Sequence, residues 1–289
     1  MKIDEACVTC IINQSVKVAD AIEADPILAK ELTTTVQKMS QTFSFEDTPP
    51  EIASYVYEKM AEIAKKNDLY DVQKKHATDK AYSFIPFLQQ QLQASSEKLL
   101  TATKIAVAGN VIDLAAEVEF DLEEELEKIF HTEFAIDDVA LLDKALQEAQ
   151  DVVVLGDNVG EHIFDYFYIQ TLQELYPHIS FSYFVRGCPI INDVTMQEAK
   201  EAGFESLCNL VDSGVNTPGF AYSRATQEAQ KLFDNADVVI SKGMGNYESL
   251  SPSHRDKICF LLKVKCGVVA SSLGKNLGDI ICYMHKGKE

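Results

Sequence analysis

The feature that most constrains the fold of this chain is a series of short apolar runs in its second half, each ending in a polar loop. The run at residues 151–156 is followed by an Asp-Asn pair at 157–158, after which a helical pattern begins. Runs at 179–185 and 237–241 also end in loops with charged residues and glycine. Strands that alternate with helices are typical of βαβ units and a mostly parallel, doubly wound sheet. The sequence therefore predicts an α/β fold with a Rossmann-like three-layer α/β/α core.

The predicted strands occupy only the second half of the chain. They are residues 151–156, 179–185, 207–211, 237–241, 266–271 and 280–284. Residues 5–100 instead carry apolar side chains at helical spacing, and Asp25 and Thr48 mark helix starts. We therefore expect a helical N-terminal subdomain at 1–100 and a Rossmann-like α/β core, which carries the candidate site, at 101–289.

The composition argues against several classes of protein. Among 289 residues the formal net charge is −19, and the sequence has no cluster of lysine and arginine, so we expect no binding to nucleic acid or anionic membranes. No apolar stretch approaches the roughly 18 residues of a membrane-spanning helix, and the amino terminus lacks the apolar core of a signal sequence. Seven scattered cysteines, an odd number, favour reduced thiols and a cytoplasmic protein.

Asp157, Asn158 and Asp193 are the candidate metal ligands. The first two follow one predicted strand, and Asp193 follows the next. Because the carboxyl ends of parallel strands meet at one edge of a sheet, the three oxygen donors can converge on a single catalytic Mg²⁺ or Mn²⁺ ion. The alternative is local structure: Gly-Asp-Asn is good turn chemistry, and Asn192 precedes a predicted helix-capping box at Thr195.

A second group of residues suits a phosphate. Lys242 and Gly243 follow the predicted strand at 237–241, and glycine lets backbone N–H groups as far as Asn246 approach a phosphate oxygen. Arg186, at the end of the neighbouring strand, supplies a guanidinium that can bind phosphate through two donors. The Gly-x-Gly spacing follows the lysine and lacks a third glycine, so the loop is neither a P-loop nor a dinucleotide-binding fingerprint.

Two further features have more than one interpretation. Cys7 and Cys10 form a single CxxC pair on a predicted helix. They are either two buried small residues on a helix or ligands of an auxiliary metal that takes a distant third ligand. His162, beside Glu161, can assist a proton transfer, but the interpretation we favour is an exposed histidine on the helix surface.

Four motifs together resemble those of a known family. The sequence reads AGNVID at 108–113, GDNVGE at 156–161, RGCPIIND at 186–193 and SKGMGNYE at 241–248. In this order they are similar to motifs of the metal-dependent damage-control phosphatases, long catalogued as domain of unknown function 89. The amino-terminal CxxC resembles the subgroup common in archaea and bacteria. The resemblance extends over nearly the whole chain and rests on several ordered motifs.

This resemblance implies an α/β/α core with a helical subdomain, and hydrolysis of small phosphorylated metabolites with Mn²⁺, Co²⁺, Ni²⁺ or Mg²⁺. It places the metal on Asp157, Asn158 and Asp193, which are then also the catalytic residues. The substrate-binding positions that we predict on this basis are Asn110, Asp113, Glu161, Arg186, Asn192, Lys242, Gly243 and Asn246.

Three functions remain open from the sequence. The first is a metal-dependent phosphatase that stabilises the developing negative charge electrostatically, with either a metal-activated water or Asp157 itself as the attacking group. The second is an S-adenosylmethionine-dependent carboxyl methyltransferase, an activity described for a eukaryotic branch of the family. The third is a non-catalytic, metal-dependent protein that binds a phosphorylated metabolite without turning it over.

Overall fold

The computed structural model describes residues 1–109 and 122–287, and the first of these ranges consists of helices and their connections. These helices are α1 (Glu5–Ala21), α2 (Pro26–Ser40), α3 (Pro49–Ala64), α4 (Asp71–Ser83), α5 (Ile85–Ala94) and α6 (Lys98–Ala108). The prediction of a helical N-terminal region is confirmed.

Two of the helix starts are made by the residues that the sequence indicated. Asp25 precedes α2, and its side chain accepts hydrogen bonds from the amides of Ile27 and Leu28. Thr48 precedes α3 and forms a capping box with Glu51. Both side chains satisfy amide groups that have no partner within the helix, which fixes where each helix begins.

From residue 122 onward, helices alternate with strands around one sheet. The helices are α7 (Leu122–His131), α8 (Val139–Glu148), α9 (Glu161–Leu175), α10 (Met196–Glu201), α11 (Phe204–Leu207), α12 (Gln227–Asn235), α13 (Gly243–Leu250) and α14 (Gly267–Leu273). The strands are β1 (Ile136–Asp137), β2 (Asp151–Leu155), β3 (Ser180–Val185), β4 (Asn209–Asp212), β5 (Val238–Lys242), β6 (Ile258–Lys263) and β7 (Ile280–His285).

The seven strands follow the order β1-β7-β6-β5-β2-β3-β4 in the part of the chain that is described. Every neighbouring pair is parallel except β6 with β7. The predicted mostly parallel sheet is therefore confirmed.

The prediction of a strand at 266–271 is wrong, because these residues belong to α14 and its cap. The Cys266 sulfur accepts a hydrogen bond from the Val269 amide and so begins the helix. The strand of this part of the chain is β6, which lies earlier, between β5 and β7, and is buried from Ile258 to Leu262. A continuous apolar run has no alternation, so its sequence does not distinguish a buried strand from a buried helix segment.

Helices cover both faces of the sheet. On one face, Val154 and Ile240 pack in a core with Ile105 of α6 and Phe164 of α9. On the other face, Val153, Leu155 and Val239, which alternate with them along the same strands, pack against α12, α13 and α14. Because side chains alternate between the two faces of a strand, both faces of these apolar strands need a cover. The three-layer α/β/α architecture is therefore confirmed.

Helices α1, α2 and α3 have a core of their own. Val18, Leu32 and Val56 are fully buried in it, and Ile190, from the loop after β3, is inserted among them. The helical region therefore packs against the loop after β3, which carries candidate site residues. The domain boundary at residue 100 stays a prediction.

The described residues contain neither a candidate membrane span nor a disulfide. Within 1–109 and 122–287, none of the helices combines the length and the apolar character needed to span a bilayer. All seven cysteines lie in these ranges, and none of them forms a disulfide.

Candidate active site

The candidate site lies where the sheet reverses its strand order. From β2 the chain adds β3 and β4 on one side, whereas β5 and β6 lie on the other side. Connections that leave a parallel sheet in opposite directions open a crevice at the carboxyl ends of the strands, where open α/β sheets bind their ligands. The candidate loops follow β2, β3 and β5, so the structure brings all three to this edge.

The loops after β2 and β3 are joined through their backbones. The Val194 amide donates a hydrogen bond to the carbonyl of Asp157 at 2.8 Å. Asn158 and Asp193 face each other as an antiparallel β-bridge. The three predicted metal ligands are thus held side by side by main-chain hydrogen bonds, which are less easily rearranged than side-chain contacts.

Asp157 and Asp193 are buried carboxylates that share one guanidinium. Arg186 donates from Nε to Oδ2 of Asp193 at 2.7 Å, and its Nη2 lies 3.8 Å from Oδ1 of Asp157. Burial raises the pKa of Asp157 well above its usual range; the carboxylates of Glu161 and Asp193 raise it further, while Arg186 opposes them. The carboxylates outnumber the guanidinium, so a bound cation would relieve their repulsion.

Gly243, the first residue of α13, approaches this pair closely. Its φ of +74° is in the left-handed region that favours glycine. A Cβ atom at this position would lie 1.8 Å from Oδ2 of Asp157. The absence of a side chain therefore allows the backbone after β5 to lie directly beside the Asp157 carboxylate.

Asn246 joins three segments from a fully buried position. Its Oδ1 accepts hydrogen bonds from Nη2 of Arg186 (3.2 Å) and from the Phe220 amide (2.8 Å). Its Nδ2 donates to the carbonyls of Gly156 (3.1 Å) and Lys242 (2.7 Å). The amide thus makes four hydrogen bonds within the protein, which is its full donor and acceptor capacity. Asn246 supports Arg186 and the loop after β2 from behind.

The structure pairs Lys242, the predicted phosphate-binding lysine, with two carboxylates of α9. Its side chain is 0% exposed, and its Nζ bonds Oε1 of Glu161 at 2.6 Å and a carboxylate oxygen of Asp165. Burial acts to lower the pKa of Lys242, but the two carboxylates outweigh burial and raise it, so the side chain stays charged. Glu161 and Asp165 are four residues apart on α9, so their side chains lie on the same face of the helix. This spacing in the sequence indicates that one cation can bind both carboxylates.

A cleft of about 1030 Å³ opens above the loops, between the sheet edge and helices α1, α3 and α4. Asp157, Asn158, Asn192 and Asp193 lie along its floor. The polar residues of its helical wall are Asp4, Cys7, Cys10, Gln14, Lys17, Asp20, Tyr57, Tyr70 and Gln73. Arg186, Lys242, Gly243 and Asn246 are not among the residues that line it.

Lys265 is a cleft residue that the sequence analysis missed. It follows β6, the neighbour of β5, and its exposed side chain lines the cleft. Its charge opposes the burial and the neighbouring carboxylates that raise the pKa of Asp157. The signal was a lysine just after an apolar run, which is the same pattern that identified Lys242. It was missed because the strand at 258–263 was not predicted.

Some predicted residues gain no structural description. Asn110 and Asp113 lie outside the described residues. Across 1–109 and 122–287, no three His, Cys, Asp or Glu side chains are arranged to hold one metal ion, so the auxiliary metal interpretation of Cys7 and Cys10 gains no support. That finding does not concern the Asp157–Asn158–Asp193 set, in which one donor is an amide.

His162 is buried, so the interpretation of this residue as an exposed histidine is wrong. Its Nδ1 accepts a hydrogen bond from the Gly160 amide at 3.0 Å, and its ring stacks on Phe204 with centroids 6.4 Å apart. Burial lowers the pKa of His162 from 6.5 to about 4. At neutral pH the ring is therefore uncharged, with its proton on Nε2.

We expect this histidine to make the folded protein sensitive to mild acid. Since its folded pKa is depressed, the unfolded chain binds the proton first, and stability is lost as the pH falls from 6.5 towards 4. Between about pH 7.5 and about pH 5 the loss amounts to roughly 2 kcal/mol. In His162→Asn the Oδ1 atom can replace Nδ1 as the acceptor, but the side chain does not titrate. Its free energy of unfolding, measured with urea, should therefore fall by about 2 kcal/mol less than that of the wild type over the same pH range. Equal losses in both proteins would contradict this account.

The fold and the site together define a class of protein. A carboxylate–amide centre in a deep cleft, at the switch point of a parallel sheet, is the arrangement of an α/β protein that binds a polar ligand there. The family model of the damage-control phosphatase ARMT1-like domain matches residues 3–281. This chain therefore belongs to the ARMT1-like damage-control phosphatase family, and the resemblance of its four motifs is confirmed. The CxxC-bearing subgroup stays a prediction.

Relatives of known sequence and structure agree with this assignment. The chain is 31% identical to a damage-control phosphatase of Pyrococcus horikoshii, over 100% of both proteins. It is 27% identical to a damage-control phosphatase of Archaeoglobus fulgidus, over 97% of this chain and 98% of the relative. The crystal structure of a DUF89 family protein from P. horikoshii matches with a TM-score of 0.90 at 29% identity, and covers 98% of this chain and 99% of the other.

Proposed function

We propose that this protein is a metal-dependent phosphatase that hydrolyses phosphate monoesters of small metabolites. The observation that carries the proposal is the convergence of Asp157, Asn158 and Asp193 on the floor of one cleft, with Lys265 on the same lining. Oxygen donors for a hard cation and an ammonium for a phosphate are then within one site. The names of the two archaeal relatives support a phosphatase.

The residues present fit a divalent metal ion. Two carboxylates and one amide supply only oxygen donors. Mg²⁺ and Mn²⁺ prefer oxygen ligands, and Co²⁺ and Ni²⁺ also accept them. The pKa of Asp157 is raised by burial and by nearby carboxylates, so its ionised form is unfavourable unless a positive charge lies beside it. A cation on Asp157, Asn158 and Asp193 would supply positive charge next to a transferring phosphoryl group.

The chain's own residues divide into binding and positioning roles in this proposal. Lys265 binds a phosphate oxygen, because its exposed ammonium lines the cleft. Met244 and Gly245, at the start of α13, line the same cleft and offer backbone N–H groups near a helix N-terminus. Arg186 orients Asp193, while Lys242 holds Glu161. Most of the rate enhancement then comes from positioning and electrostatic stabilisation.

The proposal is tested by phosphate release from a panel of phosphorylated metabolites and p-nitrophenyl phosphate. Metal-stripped protein is assayed alone and with Mn²⁺, Co²⁺, Ni²⁺ or Mg²⁺ restored. Turnover that depends on the metal supports the phosphatase. Metal binding without phosphate release favours the non-catalytic binding protein, and S-adenosylmethionine binding with methyl transfer favours the methyltransferase. Trapping of a phospho-enzyme would assign the attack to Asp157 instead of water.

Replacement of Lys265 is expected to weaken phosphate recognition without affecting the fold. Lys265→Ala should lower kcat/KM by about 10²-fold, since one preorganised cation at a phosphoryl group contributes on that scale. Its exposed position predicts little change in melting temperature. Lys17→Ala removes another exposed lysine that lines the cleft, on its helical wall, and serves as the matched control. Equal losses in the two variants would indicate a general charge effect instead of a specific phosphate contact.

A further inference from the structure

Helix α4, from the helical region, lies against the loop after β2 and is joined by an ion pair to α10, the helix that follows the loop after β3. Beside the loop after β2, Gly160 has a φ of +90°, and a Cβ there would lie 3.1 Å from the Cβ and the carbonyl oxygen of Ala77. Towards the loop after β3, Lys74 reaches from the same helix to α10. One helix of the cleft wall is thus connected to both ligand loops, directly to the first and through α10 to the second.

Lys74 forms a buried ionic bridge between the two parts of the protein. Its side chain is only 2% exposed. Its Nζ donates to Oδ2 of Asp68 at 2.8 Å, within the helical region, and to Oε1 of Glu198 at 3.2 Å, in α10. A buried ammonium between two carboxylates holds them in place, because removing it leaves their charges uncompensated.

From Glu198 the contacts continue to the Asp193 carboxylate. The other carboxylate oxygen of Glu198 accepts a hydrogen bond from the Thr195 amide at 3.0 Å, as part of the capping box that starts α10. Thr195 pairs with Arg186 in a parallel β-bridge. Arg186 in turn holds Asp193 through its Nε. Ion pairs, hydrogen bonds and the short backbone segment 194–195, whose Val194 carbonyl accepts from the Arg186 amide at 2.9 Å, therefore connect α4 to a proposed metal ligand.

We propose that Lys74 is a positioning residue for Asp193. By fixing the first turn of α10, it holds the 192–195 segment where Asp193 meets Asp157 and Asn158. The inference rests on the proposed function, since it concerns the same metal site. Outer partners that orient metal ligands typically contribute a factor of about 10 to 100 in metal affinity.

The test compares Lys74→Met with Lys74→Arg in the full-length protein. Mn²⁺ affinity, measured from the free Mn²⁺ signal in electron paramagnetic resonance, should fall about 10- to 100-fold in Lys74→Met and be largely restored in Lys74→Arg. In metal-free protein, the amides of residues 193–199 should exchange with deuterium about 10-fold faster in Lys74→Met. If Lys74→Met does not fold, Glu198→Gln carries the same test, because it keeps an acceptor for Thr195 but loses the charge.

Arg224→Ala is the matched control. Arg224 also joins the two parts of the protein, since it donates hydrogen bonds to the Ser54 hydroxyl and to the Tyr55 hydroxyl, each at 2.9 Å. Neither of these hydrogen bonds involves a loop that carries a proposed metal ligand. Its Mn²⁺ affinity should stay within about 2-fold of the wild type. Unchanged affinity and exchange in Lys74→Met, or an equal loss in Arg224→Ala, would overturn the inference. A wild-type protein that binds no metal would refute the proposed function, whereas deuterium exchange would still decide the role of Lys74.

Discussion

Asp157→Asn is expected to lower the metal-dependent rate of phosphate release by about 10³-fold or more, because it removes a charged ligand from the centre of the site. The side chain lies on the cleft floor beside Asn158, whose Nδ2 donates to its Oδ2 at 3.1 Å. Asparagine preserves the shape but not the charge. Phosphate release with saturating Mn²⁺, alongside Mn²⁺ affinity, measures the effect.

The same substitution should not destabilise the metal-free protein. Burial and the carboxylates of Glu161 and Asp193 raise the pKa of Asp157, which means that its charge is unfavourable in the fold. Metal-free Asp157→Asn should therefore melt at or above the temperature of the wild type, as in other active sites where function opposes stability. Asp20→Asn, on the opposite wall of the cleft, is the control and should retain activity. If Asp157→Asn kept full metal-dependent activity, the proposed ligand set would be wrong.

Lys242→Met is expected to cause the largest loss of stability. It would leave Glu161 and Asp165 buried without their shared cation, which costs about 3–5 kcal/mol. For a chain of this size that corresponds to a fall in melting temperature of about 5–8 °C. The measurement is thermal unfolding of the metal-free protein, followed by circular dichroism.

A triple variant separates the structural role of Lys242 from a role in phosphate binding. Lys242→Met combined with Glu161→Gln and Asp165→Asn removes the charges together, so most of the lost stability should return. A Lys242→Met protein with the melting temperature of the wild type but a raised KM for phosphate esters would argue for direct phosphate contact. That result would restore the role that the sequence alone suggested for this lysine.

The sequence was sufficient to predict those candidate residues that are identified by their position at the end of a strand. Asp157, Asn158 and Asp193 come directly after apolar runs that form β2 and β3, and parallel strands place such residues at one edge. The pattern failed at Lys265, because the run that forms β6 has no alternation and was not predicted as a strand. The prediction that His162 is exposed was also wrong. Helix α9 is buried on nearly all sides, so the spacing of its apolar residues does not show which side chains face solvent.

The sequence by itself determined the fold class, the family and the strand ends that carry the candidate metal ligands. These depend on local order along the chain, namely apolar period, helix caps and motif spacing, which a sequence displays directly. Only the tertiary structure decided which of the two strand-end lysines, Lys242 or Lys265, lines the cleft. Lys242 is turned towards Glu161 and Asp165 of α9, whereas Lys265 lines the cleft. The physical reason is that the position of a buried ammonium is determined by the carboxylates that pack around it. For Lys242 these carboxylates come from a distant part of the chain, so the local sequence does not show them.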